Sequence, residues 1–257
     1  MLVDTNLYNR EMSQIAVNGQ IWNFEEIGVG ETVPILILHG WGRSGREWLP
    51  MAKALSEWSG RKVYVVDLPG FGGSSLPKVF DIFEYSELLY KYCKYMGISS
   101  VMLIGHSLGG RIGLVLASKY PKFVEKLILI DPAGVKPTSI KRSAMNLMSK
   151  IFAFVPRSIR SKVVSPLMDE DFRNSPTTGD LYRGVVKDDL RSALPQIKCK
   201  TWVIWGEKDK VLPLKLVDVY KKLLTYPTVR IIWGAGHDPH LSHSIVLRRV
   251  LEEALWI

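Results

Sequence analysis

Short apolar runs alternate with amphipathic stretches along most of this chain. Pro34 to Leu38, Lys62 to Asp67, Val101 to Gly105, Lys126 to Ile130, Thr201 to Gly206 and Val229 to Trp233 are apolar segments of strand length. Runs of this kind suit strands covered on both faces. Segments of helical spacing lie between them, starting at Ser44 and Asp81, ending at Tyr120, and running from about Pro213 to Leu224 and from about His240 to Leu255. Such alternation predicts βαβ units on a mainly parallel sheet. Ahead of it, Gln14 to Val17 and Gln20 to Glu25 flank Asn18-Gly19, a pair suited to a two-residue type I′ turn, and predict an opening hairpin.

Local signals sharpen the boundaries. Ser44-x-x-Glu47 and Asp81-x-x-Glu84 read as capping boxes, Gly97 as a helix stop and Pro121 as a breaker. The rhythm lapses between Gly134 and about Leu190, where Pro137, Pro156, Pro166 and Pro176 punctuate helical pieces and no strand-like run occurs. Ile140, Ala144, Leu147, Met148, Ile151 and Phe152 recur there at helical spacing. The division that follows is an α/β core of residues 1–133 and 191–257 with a helical cap inserted at 134–190.

Composition narrows the class more than it identifies a function. At 257 residues, 47% hydrophobic and 23% charged, the chain is long enough to bury a full core, which excludes disorder. Cys93 and Cys199 match no metal or redox spacing and read as inert thiols in a reducing compartment. The polar stretch Met1 to Glu11 lacks a signal-peptide core, and no apolar run reaches 18 residues, so a cytoplasmic protein without integral membrane association is expected. The net charge of +9 is uneven. From Val135 to Met168 the chain carries Lys136, Lys141, Arg142, Lys150, Arg157, Arg160 and Lys162 and no acidic residue.

Candidate chemistry sits at strand ends, where an open parallel sheet places its catalytic loops. Ser107 lies in Gly105-His106-Ser107-Leu108-Gly109-Gly110, a G-x-S-x-G turn between strand and helix. Asp131 ends the next strand, Asp209 follows Trp202 to Trp205, and His237 follows Arg230 to Trp233. A serine nucleophile needs an imidazole to take its proton, and the imidazole needs a carboxylate to orient it. Ser107, Asp209 and His237 supply the three, and Asp131 is the rival carboxylate.

With His39-Gly40-Trp41-Gly42, Asp67-Leu68-Pro69-Gly70-Phe71-Gly72, Trp205-Gly206-Glu207-Lys208-Asp209 and Gly234-Ala235-Gly236-His237 added in order, the chain resembles a capped α/β-hydrolase over nearly its whole length. The resemblance implies a mainly parallel eight-stranded sheet with helices on both faces. It also implies Ser107 as nucleophile, His237 as general acid/base, Asp209 as its orienter, and the backbone N–H groups of Trp41 and Leu108 as oxyanion hole. Cleavage of a carboxylic ester is the implied reaction, with no metal and no organic cofactor. The same framework serves carbon-carbon bond hydrolysis of dienoic diketones, lactone opening, perhydrolysis, and esterases that act on pimeloyl methyl esters held by an acyl carrier.

Substrate selection falls to the cap. Met145, Met148 and Phe152 are the expected pocket residues, suited to an apolar acyl or aryl group. Arg142, Lys150, Arg157 and Arg160 are candidates for docking an acidic carrier protein, against the plainer reading of a solvated basic face, and a lipase-like enzyme would use the same cap as an interfacial lid. Nucleic acid is not an expected partner. Other motifs compete. Gly40-x-Gly42-x-x-Gly45 followed by Asp67 has the spacing of a dinucleotide fingerprint, implying an NAD-dependent oxidoreductase, but that reading leaves Ser107, Asp209 and His237 without a role. Asp67 reads instead as a loop anchor. His39 and His106 are expected to support the loops around Ser107, and His240 and His243 to pack or lie at the surface, since no acidic or cysteine cluster completes a metal site with them.

Overall fold

The computed structural model describes residues 12–78, 81–136 and 176–256, with the side chains of 176–179 excepted. The opening hairpin forms as expected. β1 (Ser13–Val17) and β2 (Gln20–Ile27) pair antiparallel, and Asn18 and Gly19 take φ of 51° and 78°. β3 (Ile35–Leu38), β4 (Val63–Val66), β5 (Val101–His106), β6 (Val124–Ile130), β7 (Lys200–Gly206) and β8 (Pro227–Ile232) follow. They form one eight-stranded sheet in the order β1-β2-β4-β3-β5-β6-β7-β8. From β4 onward every neighbouring pair is parallel, which is the architecture anticipated from the alternation.

Period-two packing explains why the central strands read as unbroken apolar runs. Leu36, Leu38, Leu103, Leu127, Leu129, Val203 and Trp205 point into one core. Ile35, Ile37, Ile104, Ile128, Ile130, Trp202 and Ile204 point into the other. The first core is closed by α2 (Ile82–Tyr95), α3 (Leu108–Lys119) and α5 (Val217–Leu223), the second by α1 (Leu49–Ser59) and α7 (Ser244–Trp256). Each of these central strands therefore buries both faces, as a strand flanked by crossover helices must. α4 (Pro176–Val186) leads back toward the sheet, and the short α6 (Pro239–Ser242) precedes α7.

Two local expectations need adjustment. A short 3₁₀ turn, Gly45–Trp48, precedes α1, and Ser44 makes no side-chain cap. The carboxylate of Glu47 is turned instead to Arg43 at 3.2 Å and His240 at 3.4 Å, while the Gly45 N–H is capped from a distance in sequence by Asp67 Oδ1 at 2.6 Å. The Ser44 capping box thus yields to tertiary partners. Asp81 does cap α2, accepting from the Phe83 N–H at 2.8 Å. Finally, the helix expected from His240 to Leu255 is split at His243, whose φ of −134° is not helical.

No helix among the described residues is long and apolar enough to cross a membrane. Cys93 and Cys199 are free thiols, and burial pushes Cys93 up to about 12, which keeps it protonated and inert.

One buried charge ties sheet to helix. Lys126 of β6 is buried and donates from Nζ to the carbonyls of Ala254 (2.9 Å) and Leu255 (3.3 Å) at the C-terminal end of α7. These are carbonyls that a helix end leaves unsatisfied and that carry partial negative charge. Lys126→Met keeps most of the apolar stem and orphans them. Urea unfolding is expected to show a loss of about 1–3 kcal/mol, the scale of hydrogen bonds to a charged group.

Candidate active site

Strand register places the loops that matter along one edge of the sheet. Leu38 pairs with Gly105, His106 with Ile130, Ile130 with Ile204, and Gly206 with Ile232. The chain segments leaving β3, β5, β6, β7 and β8 therefore emerge side by side. They carry Trp41, Ser107, Asp131, Asp209 and His237 respectively.

Ser107 occupies a strained turn. Its φ of 49° with ψ of −108° lies outside the common regions for a side-chain-bearing residue. Backbone bonds hold it there: the Ser107 N–H donates to Ile130 O at 3.0 Å, and Ser107 O accepts from Arg111 and Ala133, each at 3.0 Å. The flanking glycines permit the approach of helix to sheet. A Cβ on Gly109 would lie 2.3 Å from Leu38 O, and one on Gly105 would lie 2.5 Å from Gly109 O. Neither contact can be relieved by a side-chain movement, because both obstacles are backbone.

The three expected residues meet. His237 Nε2 is 3.0 Å from Ser107 Oγ, and His237 Nδ1 is 2.8 Å from Asp209 Oδ2. Asp209 is itself fixed, its Oδ1 accepting from the N–H groups of Val211 (2.7 Å) and Leu212 (2.9 Å) and its side chain fully buried. A carboxylate so held can orient the imidazole with its proton on Nδ1, leaving Nε2 to accept from the serine. The His237 loop is fastened to the turn as well. His106 Nε2 donates to the His237 carbonyl at 2.8 Å, and burial, aided by the nearby His240 and His237 rings, holds His106 well below the ordinary histidine range, so it serves as a neutral strut.

The loop after β3 is braced from both sides. His39 donates from Nδ1 to Gly40 O (2.8 Å) and accepts at Nε2 from the Leu68 N–H (2.9 Å), the supporting role expected of it. Arg43 reaches Asp238 at 2.6 Å and Glu47 at 3.2 Å, joining this loop to the residue after His237. The Trp41 ring packs edge-on against Phe71 (centroids 4.9 Å) and Tyr182 (5.0 Å). The backbone N–H groups of Trp41 and Leu108 donate to no acceptor among the described residues, so both remain available to a bound oxygen.

The remaining candidates separate. Asp131 stands beside the group without touching Ser107 or His237 by any hydrogen bond; its Oδ1 accepts from the Gly206 N–H at 2.8 Å. Asp67 spends its carboxylate on Gly45, Gly73 (2.9 Å) and Asn23 (2.7 Å), and is buried, so it is not free to hold a ribose as a dinucleotide site requires. His240 is buried and stacked on Trp48 at 4.5 Å, and His243 bonds its neighbour Ser242. Two clusters among the described residues have metal-like proximity, His106-Asp238-His240 and Asp131-Asp209-His237; neither includes His243, but the first brings Asp238 to His240, an acidic neighbour not expected there. In the second, the bond between His237 and Asp209 already uses the atoms a metal would need. Met145, Met148 and Phe152, with Arg142, Lys150, Arg157 and Arg160, lie outside the described residues.

Tyr182 and the Arg43-Asp238 pair were not singled out from sequence. The pair joins residues 195 apart, a separation at which no local pattern operates. Tyr182 stands in a helix whose pattern gives no hint that one aromatic reaches the Trp41 loop.

Comparison with known proteins places the fold in a family. The family model described as alpha/beta hydrolase fold matches residues 33–183. Lipase 1 of Psychrobacter immobilis is 26% identical, over 90% of this chain and 81% of that protein. Pimeloyl-[acyl-carrier protein] methyl ester esterase of Wigglesworthia glossinidia brevipalpis is 29% identical, over 88% of this chain and 94% of that one. The crystal structure of a membrane phospholipase A, described as a bacterial virulence factor, superposes with a TM-score of 0.81 at 26% identity, covering 97% of this chain and 87% of the other.

The glycine contacts give a direct test. Gly109→Ala must push α3 off the Leu38 carbonyl or fail to fold, and a stability loss of about 1–3 kcal/mol by denaturant unfolding is expected, the range for overpacking a tight site. Ester turnover should fall with it, whereas Gly19→Ala, which strains the hairpin turn at a φ of 78° but meets no atom within 4 Å and lies far from Ser107 in the chain, should leave turnover unchanged.

Proposed function

Because this chain belongs to the alpha/beta hydrolase fold family, we propose that it is a serine hydrolase cleaving carboxylic esters through Ser107, His237 and Asp209. The observation that carries the reading is the continuous hydrogen-bonded path from Asp209 Oδ2 through His237 to Ser107 Oγ. The similarity to a lipase and to a methyl ester esterase points to ester bonds.

In the proposed reaction Ser107 Oγ attacks the ester carbonyl as its proton passes to His237 Nε2. Asp209 stabilises the resulting imidazolium and keeps the ring in register. Negative charge forming on the carbonyl oxygen is met by the N–H groups of Trp41 and Leu108. His237 then gives its proton to the departing alcohol, and in a second half-reaction it takes one from water, which hydrolyses the acyl-enzyme and frees Ser107.

The cap proposal, residues 134–190, draws support from how its two ends meet. The Leu190 N–H donates to Gly134 O at 2.8 Å, and Lys136 Nζ donates to Lys187 O at 2.5 Å. Arg191 reaches the Lys136 carbonyl, while the buried Arg111 of α3 holds Val185 O (2.5 Å) and Asp188 O (2.6 Å). Chain leaving and chain returning are thus joined at a base beside the nucleophile helix. What this base carries would select an apolar acyl or aryl group. We place the enzyme in the cytoplasm, a reading that rests on the sequence alone.

Two outcomes test the activity. A fluorophosphonate probe is expected to label the wild-type protein at Ser107 by mass mapping, and Ser107→Ala is expected to abolish labelling and lower kcat on p-nitrophenyl esters by about 10⁴-fold or more with the fold retained. Asp209→Asn should lose on the order of 10⁴-fold in kcat, because it presents the wrong hydrogen-bonding group to Nδ1. Near-wild-type hydrolysis in either variant overturns the assignment.

A second reading is favoured by the 29% identity to the acyl-carrier esterase: the scissile ester would be borne by an acidic carrier docked at the basic cap. If so, kcat/KM for a carrier-linked methyl ester should fall several-fold between low and physiological salt, and again in Arg142→Glu and Arg157→Glu, while a free p-nitrophenyl ester is unaffected. Equal salt response for both substrates eliminates the carrier.

A further inference from the structure

Asp131 is a buried acid whose second oxygen the mechanism leaves unused. It follows β6, between the strands that deliver Ser107 and Asp209, and adopts a φ of 42°, a value few side-chain-bearing residues accept. Its backbone is anchored by the N–H donating to Ile204 O at 2.9 Å, and its Oδ1 accepts from Gly206. Oδ2 is completely buried and has no hydrogen-bond partner among the described residues. One oxygen of Asp131, one of Asp209 and one ring nitrogen of His237 lie within 4.8 Å of one another. The titratable groups near it are Asp209 from the loop after β7, with His237 and Asp238 from the loop after β8. The nearby Tyr220 hydroxyl is turned to Pro132 O at 3.2 Å and Ala133 O at 3.4 Å.

Two ionised carboxylates at this separation, both out of water, repel strongly, and only one of them has donors enough to stay ionised. Asp209 has three: Val211 N–H, Leu212 N–H and His237 Nδ1–H. Asp131 has one, Gly206 N–H. Resting on the triad reading above, we propose that Asp131 is a positioning residue, a neutral carboxylic acid whose Oδ2–H donates to the Asp209 carboxylate and holds it against His237. This satisfies the orphaned Oδ2 and adds a fourth donor to Asp209. Burial foremost, and then the Asp209 charge, push Asp131 up to about 9 against the opposing pull of the Gly206 N–H. The donated proton is therefore retained through neutral pH and lost as pH rises past that value.

The test compares wild type with Asp131→Asn, which keeps a donor toward Asp209 and an acceptor for Gly206, and Asp131→Ala, which keeps neither. In protein labelled with ¹³C at aspartate carboxyls, the Asp131 signal, identified by its loss in Asp131→Asn, is expected to hold its protonated shift at pH 7 and to move near pH 9. On p-nitrophenyl esters at pH 7.5, Asp131→Asn should stay within about threefold of wild type, and Asp131→Ala should lose about 10- to 100-fold in kcat with KM little changed, the scale set by roughly 1.4 kcal/mol per decade. The alkaline decline of wild-type kcat near pH 9 should be absent from Asp131→Asn. An ionised Asp131 signal at pH 7 overturns the proposal whatever the activity. So does an Asn variant that melts like wild type and yet loses as much turnover as Ala, or an Ala variant as active as wild type. Failure of the wild type to hydrolyse esters or label at Ser107 refutes the triad reading, while the carboxyl titration still decides the state of Asp131.

Discussion

Helix α3 packs onto the sheet at a distance that only hydrogen at Cα allows, and the geometry of the site follows from that contact. Gly109 faces the Leu38 carbonyl and Gly105 faces the backbone of Gly109, so the helix starts immediately beside the ends of β3 and β5. Such a start forces the connecting residue into positive φ, and that residue is Ser107. Its side chain is lifted clear of both elements while its own backbone is held by Ile130, Arg111 and Ala133. The cost of this conformation is borne by two fully packed cores, one on each face of the sheet.

Around that fixed point the neighbouring loops are braced against one another. His106, one residue before the serine, bonds the carbonyl of His237, and Arg43 bonds Asp238, the residue after it. Asp67 gathers Gly45, Gly73 and Asn23 onto one carboxylate below the loop that bears Trp41. Each brace is charged or buried, and each joins segments that the sheet has already brought together. The position of His237 thus depends on side chains outside the Asp209-His237-Ser107 hydrogen-bonded path.

Much of this was legible in the sequence because the signals are local. Strand-length apolar runs, Asn18-Gly19 and the glycine-flanked serine are each decided by a few adjacent residues. The match of Ser107, Asp209 and His237 followed from one topological rule, that strands of a parallel sheet end together. What the sequence did not disclose is non-local. Ser44 and Glu47 have the letters of a capping box, yet Glu47 is drawn to Arg43 and His240, and Asp67 caps the turn from another strand end. The Tyr182 contact with Trp41 and the Arg43-Asp238 pair depend on approaches that no window of sequence contains. Sequence position and resemblance favour Asp209 over Asp131, but the 2.8 Å approach of Asp209 to His237 is again a contact between separate loops.

The hydrogen bond between Leu190 and Gly134 bears on how such an enzyme changes its substrate over evolutionary time. Since Gly134 and Leu190 are pinned together by this bond, the entropy of closing the chain between them grows only as the logarithm of its length. A longer or shorter stretch between residues 136 and 176 therefore costs the core little, provided Leu181 and Val185 keep their buried places. With recognition assigned to that stretch, as proposed above, it is mounted on a part whose length can change, while Ser107, His237 and Asp209 stand on loops whose positions the sheet fixes.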